Sequence, residues 1–398
     1  MKQLSPIILL ALLALFSCQK PLFRVKIEAG EIDRIGIPVH FEIPSGLDPN
    51  STYVLEDMAS GKLYSPQISE GQMSIFLDHL QANQTLTLEL KKGTESNSGG
   101  LDLRETKGRI QILNAGNEVL TYHPTFAYPP DGQSESYKKS GFIHPVKSPE
   151  GQILTDDFPM GHLHQHAIYN AWAKTRFKGK KVDFWNQLDS LGTVSHKRTI
   201  SQKSGTAYAE LVAMLSHISL IDGEALEETW EIKVYPSKGF HLFDILSTQV
   251  NTSNDTLFMD KYIYGGMAFR GSKAWNPDDS LQYQNPWEIT TDQGHTLAQA
   301  NNQKAQWVTS SGNIDGKATG ITIFGFPENF KYPQAIRVHP TMPYWVYSPV
   351  IEEGFFLAPG ERYSSKFRYL VFDGKPDLDQ IQQIQNTILH PIHILVNP

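Results

Sequence analysis

Short runs in which apolar and polar residues alternate recur along most of the chain, and they constrain its fold more than any other feature. Phe23-Arg24-Val25-Lys26-Ile27, Val39-His40-Phe41-Glu42-Ile43 and Thr85-Leu86-Thr87-Leu88-Glu89-Leu90 alternate in the first part of the sequence. Successive side chains of a strand point to opposite faces, so this period of two describes half-buried strands. With turn residues between the runs, the pattern predicts a small β-sandwich of immunoglobulin-like size over residues 22–95. The polar stretch from Lys92 to Gly100 lacks apolar anchors and reads as a linker. Alternation resumes in Gly108-Arg109-Ile110-Gln111-Ile112-Leu113, in Thr229-Trp230-Glu231-Ile232-Lys233-Val234-Tyr235 and in Lys366-Phe367-Arg368-Tyr369-Leu370-Val371-Phe372. Helical spacing appears only late, where Leu378, Ile381, Ile384 and Ile388 recur between Asp377 and Leu389. The fold class read from this is all-β: the small sandwich, a β-rich body over 105–376, and one helix at 377–389. A β body of that size is expected to be two large stacked sheets.

The beginning of the chain carries a different signal. Lys2 precedes an apolar run from Ile7 to Phe16, too short for a resident membrane span. The run ends in Leu15-Phe16-Ser17-Cys18, which resembles the lipobox of bacterial lipoproteins. The resemblance implies a signal peptide at 1–17, a lipid on the Cys18 thiol, and an exported, membrane-anchored protein. No Asp follows Cys18, which favours the outer membrane, facing the periplasm or the cell surface. Cys18 is the only cysteine, so the rest of the chain has no disulfide, no Cys-based metal site and no thiol nucleophile. A formal charge of −7 gives no electrostatic reason to bind nucleic acid. No second apolar stretch is long enough for a transmembrane helix.

Several motifs of the β body agree in order with one family. They are Ser140-Gly141-Phe142-Ile143-His144-Pro145, Asp156-Asp157-Phe158-Pro159, His162-Leu163-His164-Gln165-His166, Asp183-Phe184-Trp185-Asn186, Tyr264-Gly265-Gly266-Met267-Ala268-Phe269-Arg270 and Arg337-Val338-His339-Pro340-Thr341. From about Gly108 to Pro376 the chain resembles the PmoA-like family of secreted bacterial proteins. The resemblance implies a β-supersandwich like that of galactose mutarotase, in proteins that accompany sugar degradation. The family's label comes from a subunit of methane mono-oxygenase, a multi-span membrane protein, and a chain without such spans is not read as a methane oxygenase. Gly161, Gln165 and Ala167 depart from the pattern, standing where an acidic residue, a His and a Gly are usual.

The residues themselves point to acid–base or binding chemistry. His162, His164 and His166 fall at alternate positions; on a strand they would share a face with neighbours about 6.5–7 Å apart. Imidazole titrates near neutral pH and suits proton transfer to and from a sugar oxygen. Metal ligation by His162, His164 and His166, joined by a carboxylate such as Asp157 or Asp183, stays open as an alternative. No other cofactor is expected. Arg337 can fork two hydroxyls or a carboxylate, and His339, held by Pro340 at a strand end, can act as a base. Gly265 and Gly266 permit close approach of another backbone and place Arg270 at the end of a strand. Glu231 alternates with apolar neighbours and is either a concave-face acid or an exposed strand residue. Trp185 and Trp345 are picked as aromatic platforms for a pyranose, with Asp183 and Asn186 reading hydroxyls. The sequence has no phosphate-binding Gly-rich loop, no dinucleotide fingerprint and no Gly-x-Ser-x-Gly elbow.

The expected function is therefore binding of, or action on, a carbohydrate-like molecule or glycan. His162, His164, His166 and His339 would carry proton transfer in an epimerase, lyase or glycoside-cleaving reaction, with Arg270 and Arg337 holding the ligand. The alternative is a non-catalytic glycan-binding lipoprotein of a sugar-utilisation system. Both readings require motifs far apart in the chain to meet in one cavity.

Overall fold

The alternating runs form strands that pair antiparallel with their neighbours throughout. The computed structural model describes residues 22–43, 47–48, 51–94 and 100–397. The predicted leader with Cys18, and most of the predicted linker, lie outside the described residues.

The first part of the chain is a sandwich. One sheet has the strand order His393–Asn397, Arg24–Glu28, Thr85–Lys92, Tyr53–Asp57, Leu63–Tyr64, and the other Arg34–Glu42, Gln72–Leu80, Gln67–Ser69. Val25, Ile27, Leu88 and Leu90 from the first are buried against Ile37, Val39, Met73 and Ile75 from the second. The sequence reading stopped at residue 389 and so missed the strand that returns from the carboxy terminus. His393–Asn397 pairs with Arg24–Glu28, Ile394 opposite Ile27. Its core, Ile394-Leu395-Val396, carries no alternation and gives no period-two signal.

The body is two stacked eight-stranded sheets. The front sheet has the order Ile336–Val338, Tyr344–Tyr347, Gly265–Arg270, Ile168–Trp172, Ile143–Val146, Asn117–Tyr122, Arg109–Asn114, Leu101–Thr106. The central sheet has the order Gly192–Lys203, Ala209–Ser219, Gly223–Tyr235, Phe240–Val250, Arg362–Asp373, Lys317–Gly325, Trp307–Ile314, Glu288–Thr291. A four-stranded sheet, Lys180–Val182, Thr175–Phe177, Leu257–Met259, Phe355–Leu357, flanks them.

The central sheet is covered on both faces. Trp230, Ile232, Val234, Tyr369 and Val371 pack toward the front sheet, while Tyr235, Leu242, Leu370 and Phe372 pack toward the helix Leu378–Leu389. That is why Tyr369-Leu370-Val371-Phe372 reads as one apolar run. Asp377 caps the helix by accepting from the amides of Asp379 and Gln380, and Ile381, Ile384 and Ile388 press onto the sheet. Ile35 and Phe76 of the small sandwich close the same cluster.

Between the two large sheets lies one buried carboxylate, Glu228. Its Oε1 accepts from Asn170 Nδ2 at 2.8 Å, Trp230 Nε1 at 2.6 Å and Ser247 Oγ at 2.5 Å, and its Oε2 meets His217 Nε2 at 2.7 Å. Burial pushes the carboxyl up, but these bonds, His217 foremost, hold it below the usual range. Glu228, not Glu231, is thus the inward acid of this strand: Trp230, Ile232 and Val234 turn inward with it, and the pleat sends the half-buried Glu231 to the other face.

Gly266 shows why the strand before Arg270 begins with two glycines. A Cβ there would sit 2.3 Å from the Tyr347 carbonyl oxygen, and its φ of +121° disfavours any side chain. Gly266→Ala is expected to destabilise the protein by about 3 kcal/mol, read as a lowered urea midpoint with an unchanged slope.

Candidate functional site

The pleat of the front sheet decides which side chains reach its outer face. Tyr169 pairs with Ala268, Arg270 with Tyr344, and Arg337 with Val346, and directly paired residues point the same way. Trp345, between Tyr344 and Val346, must point inward. It is 1 % exposed and donates from Nε1 to Ser310 Oγ of the central sheet at 2.9 Å. Trp345 is therefore a core residue, and its selection as a sugar platform is corrected.

The three-histidine segment is a pair of turns, not a strand. The His162 amide donates to the Pro159 carbonyl and the Gln165 amide to the His162 carbonyl, each at 3.0 Å. Gly161 has φ +86° and Ala167 φ +51°. The imidazoles therefore do not share a face. The rings of His162 and His164 lie 5.5 Å apart and those of His162 and His339 5.3 Å apart. His166 turns away into the protein, Nδ1 2.7 Å from Asp157 Oδ1, packed between Phe142 and Phe158. Its burial holds it neutral, and it fixes the loop rather than facing a ligand.

Gly161, Gln165 and Ala167 each have a structural reason. A Cβ on Gly161 would lie 2.7 Å from Asp278 Oδ2, so the glycine admits that carboxylate. Gln165 Oε1 accepts from Arg270 Nη1 at 3.0 Å. Ala167 holds a left-handed conformation, one that favours glycine.

His162, His164 and Gln165 line a cavity of about 220 Å³ together with Asp183, Trp185, Asn186, Tyr262 and Tyr264. Asp183 Oδ1 accepts from the amides of Trp185 and Asn186 at 2.9 and 2.8 Å, which bends the chain so that all three reach the cavity. Trp185 is buried against Tyr169 at 4.9 Å and Tyr264 at 5.7 Å, which leaves Tyr264 and the 40 %-exposed Tyr262 as the accessible rings. Arg337 stands behind this wall: its guanidinium lies 5.5 Å from the Tyr264 ring centre and donates to Asn301 Oδ1 at 2.9 Å.

Arg270 lies beneath the histidines and is fully buried. Nη1 also meets Met342 Sδ at 3.3 Å, while Nε and Nη2 have no partner among the described residues; His162 Nδ1 is likewise unpaired. Burial brings the guanidinium down to about 10. Burial, reinforced by His162, pushes His164 down to about 3, and burial, with His162 and Arg337, pushes His339 down to about 4. His339 Nδ1 accepts from the Met342 amide at 3.1 Å, which assigns the ring proton to Nε2. Asp183 moves the other way: burial raises it to about 6 against its two backbone donors.

The structure thus brings together His162, His164, His339, Arg270, Asp183, Trp185 and Asn186, sets Arg337 behind the wall, and removes His166 and Trp345. Among the described residues, no group of three His, Cys, Asp or Glu side chains is placed to hold a metal ion. Sequence reasoning gave no role to Tyr264, which directly precedes the two glycines in the motif ending at Arg270, and missed Tyr262, Tyr169 and Tyr344.

Residues 109–386 match DUF6807, described as a family of unknown function, and the chain belongs to that family. None of the curated proteins matches it. Among solved structures, it is similar to a glycosyl hydrolase family 38 protein from Enterococcus faecalis, with 10% identity, a TM-score of 0.46, and coverage of 94% of this chain and 47% of that one. A heparan sulfate lyase from Pedobacter heparinus gives 10% identity and a TM-score of 0.34, over 71% of this chain and 36% of that one. A galactose mutarotase related enzyme from Lactobacillus acidophilus gives 9% identity and a TM-score of 0.29, over 69% of this chain and 97% of that one. The chain spans less than half the length of the first two.

The buried imidazoles set an acid limit on stability. His40, His144 and His339 fall to about 4, as does His241, and His164 falls to about 3, from 6.5. Between these values the unfolded chain binds protons that the folded chain refuses, so stability is lost as pH falls from about 6.5 toward 4. Asp156, Asp157 and Asp183, raised from 3.8 to about 6, act oppositely over a narrower window and are fewer. The urea midpoint is expected to be clearly lower at pH 5 than at pH 7; an equal or higher midpoint at pH 5 contradicts the assignment.

Proposed function

We propose that the cavity under His162 and His164 binds one ring of a carbohydrate-like ligand. The observation that carries this reading is the shared lining: the exposed Tyr262 ring, the half-buried Tyr264 ring, and hydrogen-bonding imidazole, amide and carboxyl groups meet at one small space. Aromatic faces take the apolar side of a pyranose, and the polar groups take its hydroxyls. At about 220 Å³ the cavity is below the usual range of about 300–1,000 Å³ for drug-sized ligands, which suits a single sugar unit. The PmoA-like resemblance read in the sequence supports the same ligand class.

The chemistry open to such a site is proton transfer. Burial raises Asp183 of the lining to about 6, and His339, its ring 5.3 Å from that of His162, carries its proton on Nε2. Epimerisation, elimination and glycoside cleavage each need one donor and one acceptor. A second reading, capture without turnover, is favoured by the low basicity of His164 and His339, which makes them better hydrogen-bonding groups than proton carriers. His164→Ala is expected to weaken binding across a panel of neutral monosaccharides and oligosaccharides by about tenfold, or about 1.4 kcal/mol. Retained binding with lost turnover assigns catalysis to the residue. No change in either measurement removes the site.

The same proposal places the protein outside the cytoplasm, held to a membrane by a lipid on Cys18. No helix among the described residues is long and apolar enough to cross a membrane. Cys18→Ser is expected to move the protein from the membrane pellet to the soluble fraction on cell fractionation; an unchanged pellet overturns the anchor.

A further inference from the structure

The hairpin next to the cavity carries a charge pattern opposite to that of the chain. From Lys174 to Lys181 the sequence reads Lys-Thr-Arg-Phe-Lys-Gly-Lys-Lys, with no acid in the run, while the whole protein has a formal charge of −7. It forms the strands Thr175–Phe177 and Lys180–Val182 of the small flanking sheet. Three of its cations are matched. Arg176 is held by Asp260 through Nε at 2.9 Å and Nη2 at 2.9 Å, Lys180 meets Asp222 at 2.7 Å, and Lys178 meets Asp255 at 3.9 Å. Lys174 and Lys181 have no ion pair among the described residues.

Both lysines line a second cavity, of about 400 Å³, whose wall also holds Asp183 and Asp260; Lys181 acts on Asp183 and Lys174 on Asp260 through space, without a contact ion pair. Ala173, Asp183 and Tyr262 belong to the walls of both cavities, so the two are neighbours along one cleft. The cleft leads past Tyr262 to these two exposed ammonium groups, and the lining of the second cavity carries three cations, Lys174, Arg176 and Lys181, against two carboxylates, Asp183 and Asp260. Resting on the proposed sugar site, we infer that the second cavity is a subsite for a negatively charged sugar unit, and that the protein prefers an anionic glycan to a neutral one. The shared chemistry is a carboxylate or sulfate ester on the adjoining residue. Lysines act on it as point charges, since the only guanidinium of the subsite is already committed to Asp260. The cations line a cavity beside an aromatic wall, which favours a glycan over a lipid surface.

The test compares the unaltered protein with Lys174→Ala/Lys181→Ala and with His164→Ala, titrated at low and high salt. Four probes are used: oligogalacturonate for carboxylates, carrageenan oligosaccharides for sulfates, dextran oligosaccharides as neutral chains, and vesicles of equal phosphatidylcholine and phosphatidylglycerol. Both lysines are exposed, so the double variant is expected to keep its thermal midpoint. The inference expects one acidic probe to bind at least tenfold more tightly than dextran oligosaccharides, with the preference lost in the double variant and reduced by salt. Carboxylate or sulfate is identified by which acidic probe wins. Lysine-dependent binding that ignores His164→Ala keeps the charged subsite and removes the neighbouring sugar site. Dextran binding that depends on His164 and ignores both lysines keeps the sugar site and overturns the inference. Lysine-dependent binding to the vesicles alone, or no binding to any probe, overturns it as well.

Discussion

A sheet whose strands are apolar on both faces has to be covered twice, and the rest of the molecule is arranged around that requirement. The central sheet places Trp230, Ile232 and Val234 on one side and Tyr235, Leu242 and Leu370 on the other. The front sheet satisfies the first face. The helix Leu378–Leu389 satisfies the second, with Ile35 and Phe76 of the small sandwich completing the cover. The small sandwich is thereby packed onto the body through shared apolar burial.

Glu228 adds direction to this burial. Hydrophobic contact between two sheets tolerates sliding, whereas a carboxylate held by His217, Trp230 and Ser247 of the central sheet and by Asn170 of the front sheet does not. Asn170 neighbours Tyr169, which faces the opposite side of the same strand and supports Trp185. The register fixed between the sheets thus carries through one strand to the wall of the cavity.

The strand content and the late helix were legible because alternation and helical spacing follow directly from side-chain geometry. The sandwich strand His393–Asn397 was not, because a short unalternating apolar run does not declare its state. The site was legible in part. Residue type singled out His162, His164, His339, Arg270 and Asp183, and the fold brings them near one another. The identical type at His166 misled, since two left-handed residues, Gly161 and Ala167, turn the segment and swing that ring inward. Trp345 misled for a simpler reason: one step along a pleat separates a platform from the core. The tyrosines of the wall gave no signal, because nothing in a single sequence distinguishes an exposed Tyr262 from a buried Tyr344.

The pairing of Arg24–Glu28 with His393–Asn397 imposes an order on assembly. Glu28 and His393 are 365 residues apart in the chain. Contacts of such separation close late, after the entropy of the intervening polypeptide has been lost. In a chain made from its amino end, Arg24–Glu28 lacks this neighbour until His393–Asn397 is available. Until then Arg24–Glu28 presents an open edge, the kind of surface that invites pairing with a second molecule. Maturation of this region is therefore a race between closure on itself and capture by a neighbour, and a high local concentration of unfinished chains tilts it toward the latter.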